Sequence, residues 1–275
     1  MQWWCAALGE KWTWSWQPYP GVWLFVLAVA ASRRLLTGAG SWRLAAGSEK
    51  AAFIAGVLTL WISLDWPVGP IAAGYLASAH ALQFLIITMI STPLLLLGAR
   101  TGTVERLTSE QAPAFLRRAG RFIVHPLPAV LIFNAIVSAT HVPGVVDGLM
   151  PSAAGAFLVD LSWFLGGIIF WWPVIIPYPT LRHFGVPMKI LYLLGGTLFH
   201  TVIGMIMLVS EHPMYGIYEL AQPIFAIAPR TDQQVAGGVM ELGVFFAIVI
   251  ASGVLFFRWA GESDQRSQPS ARGPE

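Results

Sequence analysis

Six histidines, eight methionines and a few carboxylates carry most of the chemistry open to this 275-residue chain. Several recur at helical spacing. His80, Gln83, Phe84, Thr88 and Ser91 would share one helix face; His200, Gly204, Met207 and Glu211 a second; Gln234, Gly237, Gly238 and Glu241 a third. Imidazole, thioether and carboxylate groups together suit a metal, and imidazole with thioether sulfur favours copper, Cu(I) in particular. His80, His141, His200, Met207 and Met240 are the expected ligands. Asp160, Glu241, Gln83, Asp232, Gln233, Gln234 and His212 are expected to support them or to stand in as ligands. Each has a plainer reading. A methionine in such a helix fills packing gaps, and a lone histidine bridges two helices. Asp65 and Glu241 cap or pair, His125 and His183 are structural or solvated, and Cys5 is an incidental thiol.

The elements that position these groups follow from composition. Hydrophobic residues make up 56% of the chain and charged residues 11%, against about 25% charged in a soluble domain. This excludes disordered, coiled-coil and nucleic-acid-binding classes, and a single cysteine excludes a disulfide framework or a cysteine-based metal centre. Seven stretches are long and apolar enough to span a bilayer: 21–36, 51–68, 74–98, 122–140, 154–177, 188–210 and 235–258. Pro67, Gly69 and Pro70, then Pro143 and Gly144, Pro177 and Pro179, and Pro213 punctuate them. The expected fold is all-α: a polytopic membrane protein with one seven-helix domain over 1–260 and a disordered cytoplasmic tail over 261–275. The aromatic N-terminal run, with Trp3, Trp4, Trp12, Trp14 and Trp16, reads as an interfacial belt rather than a cleaved leader.

Orientation follows from the basic residues. Arg33, Arg34, Arg43 and Lys50 flank the first loop; Arg100, Arg106, Arg117, Arg118 and Arg121 the third; Arg182 and Lys189 the fifth; Arg258, Arg266 and Arg272 the C-terminal segment. Only Lys11 and Arg230 fall on the opposite face. The positive-inside rule then puts the N-terminus outside and the C-terminus in the cytoplasm. At a rise of about 1.5 Å per residue, Asp65, His80, His141, Asp160, His200, His212 and Glu241 gather in the outer half. Ionisable groups at such depths are costly and are functional candidates by default.

Function divides into few classes. No nucleophile–base set, zinc triad or glycine-rich phosphate loop is present, so a non-enzymatic role is expected. A copper or small-solute transporter would need polar groups in the cytoplasmic half as well. A haem-binding membrane cytochrome would want deep axial histidine pairs, for which His80 and His200 are the available residues. A retinal pigment would need a lysine in the last span, which has none.

The motifs carry a further indication. Ser78-Ala79-His80-Ala81-Leu82-Gln83 running on to Thr92-Pro93-Leu94-Leu95-Leu96-Leu97-Gly98 resembles the third span of the CtaG-type cytochrome c oxidase assembly factors, the caa3 oxidase assembly group. His125-Pro126 through Phe133-Asn134 to His141-Val142-Pro143 is similar to that family's HP…FN…WHLP stretch, and Phe170-Trp171-Trp172-Pro173 to its FWWP. Glu211-His212-Pro213-Met214-Tyr215 sits where the family has a D-R-P-L-Y turn. Asp232-Gln233-Gln234-Val235-Ala236-Gly237 through Met240 resembles its DQQ-x-AG-x-x-M, and Trp14-Ser15-Trp16-Gln17-Pro18 its W-x-W-x-P. The resemblance covers nearly all of the chain except the C-terminal tail. It implies assembly of a haem–copper terminal oxidase in the bacterial inner (cytoplasmic) membrane. The implied cargo is copper, and the implied partners are an oxidase subunit, the lipid bilayer and a periplasmic copper chaperone, with no nucleic acid. His80 and His141 match family histidines, and Asp232, Gln233, Gln234 and Met240 match the last motif. The chain departs at Phe84, where the family often has a second histidine, and at Val159-Asp160, where it often has Glu-His. It departs again at Glu241 for tryptophan and His212 for arginine. Asp160 stands at the depth of His80 and is expected either to accept a hydrogen bond from the His80 or His141 ring or to ligate the metal directly.

The distribution of lysine and arginine makes a topological prediction. Reporter fusions after Gly69, Gly144 and Glu219 should report the outside, and fusions after Thr103 and Arg182 the cytoplasm. One fusion of the opposite sign would overturn the depth assigned to every polar residue above.

Overall fold

Proline and glycine divide the apolar sequence into helices, and a computed structural model places them around one central member. The structure describes residues 2–7, 9–38, 40–100, 103, 125–176 and 184–267. Helix α1, Pro20–Thr37, opens with proline, whose missing N–H is not needed in a first turn. It closes at Gly38, which takes a positive φ of 86° that favours glycine and donates its N–H to the Arg34 carbonyl. Helix α2, Gly47–Leu64, and α3, Val68–Gly74, meet at a 49° bend around Asp65 and Pro67. Helix α4, Ala77–Gly98, contains a π-helical segment at Ile86–Ser91. Helices α5, Pro126–Thr140, and α6, Pro143–Leu149, meet at 71° beside His141. Helix α7, Ala153–Ile175, is capped by the Ser152 hydroxyl, which accepts from the Gly155 N–H at 3.0 Å. Helix α8, Val186–Val209, is broken once, at Thr197. Helix α9, Pro229–Ser267, is the longest.

Five of these helices are long and apolar enough to cross a membrane, and the count reaches seven if each bent pair is one span. Each expected stretch falls on one of these helices or bent pairs. The start of the fourth, at 122, lies outside the described residues, and its helix begins at Pro126. Helix α9 continues past the expected boundary at 261 to Ser267, and the rest of the expected tail, 268–275, lies outside the described residues. Nothing in 259–267 stops a helix except a single glycine, which costs only about 1 kcal/mol, and the first proline comes at 269.

Helix α4 is the axis of the bundle: 72% of its apolar window is buried, against 17% for α9. α2 packs along it, α7 crosses its second half, and α9 lies against its first half. Its two ends are held by complementary charges from elsewhere in the chain. Asp232, in the first turn of α9, accepts from the Ala77 N–H at 2.6 Å, from the Ser78 N–H at 3.3 Å and from the Ser78 hydroxyl. Arg33 of α1 is buried and donates from Nε to the Gly98 carbonyl at 2.9 Å, with its guanidinium over the Trp42 ring at 4.6 Å. A carboxylate at the N-terminus and a guanidinium at the C-terminus both match the helix dipole. In the middle, Trp171 Nε1 donates to the Thr88 carbonyl at 2.9 Å, within the π segment.

Glycine sets the closest approaches. A Cβ at Gly98 would lie 2.6 Å from Phe53 Cα, so α2 and α4 meet there backbone to backbone. Gly237 likewise faces the Gly204 carbonyl, as the small-residue stripes on the sixth and seventh spans lead one to expect. Gly98→Ala should therefore destabilise the detergent-solubilised protein by about 1–3 kcal/mol. Gly144→Ala, where a Cβ meets open space, should cost nothing. Thermal unfolding of the two variants checks this; equal midpoints would show that the α2–α4 contact is looser than described.

Candidate functional site

Three buried histidines converge near the end of the bundle where the N-terminal segment lies. His80 is one turn into α4, whose start is fixed by Asp232. His141 is the residue at which α5 ends and the chain turns into α6. His200 stands in the second half of α8, just past its break. Two aromatic rings sit among them. Phe84, fully buried, has its ring centroid 5.1 Å from His141, 4.8 Å from His200 and 5.1 Å from Trp163. Trp163 of α7 lies 4.8 Å from His80 and stacks on His141 at 6.0 Å. Its Nε1 donates to Thr140 Oγ1 at 2.9 Å, which fixes the indole against the α5 terminus.

The nitrogens of these imidazoles are under-used. His141 Nδ1 donates to the Val137 carbonyl at 2.8 Å, which leaves Nε2 as the nitrogen bearing the lone pair. Among the described residues that Nε2 is buried without a hydrogen-bond partner, and so are both ring nitrogens of His80 and both of His200. Buried polar groups are hydrogen-bonded in the great majority of cases, so five orphaned nitrogens in one region are a concentrated exception. Tyr218, whose hydroxyl donates to the Ala72 carbonyl, closes the His80 side with its ring at 5.7 Å.

The carboxylates and amides expected beside the histidines mostly serve other purposes. Asp160 is buried, but its partner is Trp4, whose Nε1 donates to Oδ2 at 2.8 Å; Asp160 bonds to neither histidine ring. Trp4 thus belongs to the core rather than to an interfacial belt, whereas Trp3, Trp14 and Trp16 are exposed. Asp65 is held in the same way, accepting from Trp23 Nε1 at 2.9 Å, Trp61 Nε1 at 2.6 Å and the Trp66 N–H at 2.8 Å. Asp232 caps α4. Gln233 accepts from the Met214 N–H at 2.6 Å and donates to the Met207 and His212 carbonyls, so it ties the end of α8 and the following turn to α9. Gln234 is half-buried and the His212 side chain is exposed. Gln83 donates to the Ser63 carbonyl at 3.0 Å, and its Oε1 stays unpartnered. Glu241 packs its carboxylate against Gly204 with Oε1 unpartnered. Met207 and Met240 are buried, Met207 against Gly237. His125 is exposed, and His183 lies outside the described residues.

Among the described residues no group of three or more His, Cys, Asp or Glu side chains is placed to hold a metal ion. The Phe84 phenyl ring lies in contact with both the His141 and the His200 ring. Trp163 and Phe84 were not identified as walls of the site from sequence. Trp163 follows Asp160 by three residues and so shares its face of α7, which is the signal that points to it.

A family model described as cytochrome c oxidase caa3 assembly factor (Caa3_CtaG) matches residues 23–262. No curated protein and no solved structure matches the chain.

The hydrogen bonds of the Asp-Gln-Gln run predict unequal sensitivity within it. Asp232→Ala, which strips the cap from α4, and Gln233→Ala, which releases one N–H and two carbonyls, should each lower stability by about 1–2 kcal/mol. Gln234→Ala should have no comparable effect. Unfolding midpoints of the three purified variants measure this, and equal losses at all three positions would refute the structural assignment of the motif.

Proposed function

Because the chain belongs to the cytochrome c oxidase caa3 assembly factor family, we propose that it helps mature a haem–copper terminal oxidase by holding copper as cargo among His80, His141 and His200. The observation that carries this reading is the set of five buried, unpartnered imidazole nitrogens around Phe84 and Trp163. Imidazole suits copper, and the buried thioethers of Met207 and Met240 supply soft donors on α8 and α9. His141 is already in the tautomer a ligand needs, because its Nδ1–H is spent on the Val137 carbonyl.

The protein is read as a multi-pass protein of the bacterial inner membrane, with seven spans and the N-terminus outside. The described cations support this asymmetry. Arg33, beside the Gly98 carbonyl, and Arg100, Lys189 and Arg258, around one groove, lie at the opposite end of the bundle from the histidines. On that orientation the histidines lie nearer the compartment where a copper chaperone and the oxidase's copper-bearing subunit would meet them. A carrier must release its ion, and donors packed against a phenyl ring bind more weakly than a closed ligand set. Phe84 therefore fits transfer better than storage.

The test is to load detergent-purified protein with Cu(I) under reducing conditions and measure retained copper beside oxidase activity in the host. His80→Ala, His141→Ala and His200→Ala should lose copper and oxidase activity at unchanged protein level, and His125→Ala neither. Phe84→His, which puts an imidazole beside His141 and His200, should retain copper more tightly. Oxidase activity that survives all three alanine substitutions would end the copper reading, and a haem absorbance band in the purified protein would replace it with the cytochrome reading.

A further inference from the structure

A long apolar groove runs along the other face of α4 from the histidines, none of which lines it among the described residues. It encloses about 780 Å³ between α4, α7, the start of α8 and α9, within the range of small-molecule sites. Its shape follows from one contact. At Gly243 a Cβ would run into Leu85, so α9 and α4 touch there, and beyond that point α9 leaves the second half of α4. Leucine, isoleucine, valine and Met89 line the diverging walls from Leu82 to Leu97, about 20 Å of helix. Trp171 forms part of the wall and is fixed by its bond to the Thr88 carbonyl.

The mouth is charged. Arg100 follows the end of α4, Lys189 lies in the first turn of α8, and Arg258 is on α9; among the described residues Glu262 is the one acidic residue lining the groove. Lys189 Nζ donates to the Val174 carbonyl at 2.9 Å and has further N–H groups to spare. Arg100 and Arg258 are exposed. A net cationic mouth on an apolar groove of this depth complements one kind of molecule, an amphiphile with an anionic head and long hydrocarbon chains. A quinone, with its neutral head, would leave the cations without a purpose, and among the described residues no histidine lines the groove to ligate a haem iron.

We propose that the groove between α4, α7 and α9 is a binding site for an anionic phospholipid, its headgroup held by Arg100, Lys189 and Arg258 and its acyl chains lying along α4 and α9. The lipid covers apolar surface that would otherwise separate α9 from the far half of the bundle. It gives the bundle an attachment to the membrane surface that is independent of the histidine site.

Native mass spectrometry of the full-length protein, titrated with dioleoyl phosphatidylglycerol and dioleoyl phosphatidylcholine, tests this directly, because the two probes differ only in the headgroup. Each cation near a headgroup contributes about fivefold, so the protein should retain phosphatidylglycerol over phosphatidylcholine by about 25-fold or more. The exposed pair Arg100→Gln with Arg258→Gln should erase most of that preference. Arg34→Gln with Arg43→Gln, cations outside the groove lining, should leave it intact. Ala247→Trp, which fills the groove, should reduce retention of both lipids. The proposal is overturned if the two lipids are held equally, or if the Arg34 and Arg43 pair erases the preference as fully as the Arg100 and Arg258 pair. Displacement of the lipid by soluble glycerol 3-phosphate would also overturn it.

Discussion

A helix buried on nearly all sides cannot leave its terminal N–H and C=O groups to water, and α4 is such a helix. Its first turn is completed by Asp232, which comes from a helix some 155 residues later, and its last carbonyl by Arg33 of α1. These two long-range bonds decide much of the rest. The Asp232 cap seats the first turn of α9 on the first turn of α4, and so sets the depth at which His80 faces Trp163 and Tyr218. The Arg33 bond anchors the far end of α1 against the same helix. Between them, α2 comes close enough at Gly98 that only glycine fits.

The same rule governs the N-terminal end. Carboxylates buried there meet indole N–H groups: Asp160 with Trp4, Asp65 with Trp23 and Trp61. An indole supplies one donor on a large apolar body, so it satisfies a buried oxygen while still filling space. This explains why an N-terminal segment with no helix of its own is nevertheless packed into the bundle, with the Ala7 N–H bonded to the Met150 carbonyl and Cys5 buried against the Leu64 carbonyl. The histidines differ in degree: single atoms such as Asp160 Oδ1 and Gln83 Oε1 are also unpartnered among the described residues, but both ring nitrogens of His80 and of His200 are. Among the described residues five of their six ring nitrogens have no hydrogen-bond partner, and aromatic rings lie against all three.

The helices were legible in sequence because apolar length and proline punctuation are local signals. The buried faces of α4 and α8 were legible for the same reason, and His80, Gln83, Phe84, Thr88 and Ser91 are all buried as their spacing required. What is not local was not legible. The bond of Asp160 to Trp4 joins residues 156 positions apart, and nothing in either neighbourhood marks the other. The Asp-Gln-Gln run looked like a polar cluster near a metal; its capping role appears only when the starts of α4 and α9 are brought together. The π segment of α4 is itself a feature that helical spacing counted at 3.6 residues per turn does not anticipate. Phe84 was recognised as a departure, but its contact with both His141 and His200 needed three helices in place.

The middle of the bundle separates assembly from transport as a reading of these groups. An ion carried across would need free polar side chains continuing from the histidines toward the basic end, and the Thr88, Ser91 and Thr92 hydroxyls on α4 are engaged by the Phe84 carbonyl, Thr59 and the Thr88 carbonyl. Below the site, α5, α7 and α8 instead contribute Phe133, Phe170 and Tyr192, which stack in sequence at 4.5 and 5.3 Å between centroids. The polar atom of that stack is already used, since the Tyr192 hydroxyl donates to the Phe170 carbonyl at 2.8 Å. Asn134, the polar residue next to Phe133, is likewise engaged, donating to the Val130 and Gly196 carbonyls. Conduction through this layer would require breaking bonds that hold helices together and desolvating an ion against stacked rings. On the copper reading proposed above, a group held beside His80, His141 and His200 would meet this stacked layer on any path toward the basic end.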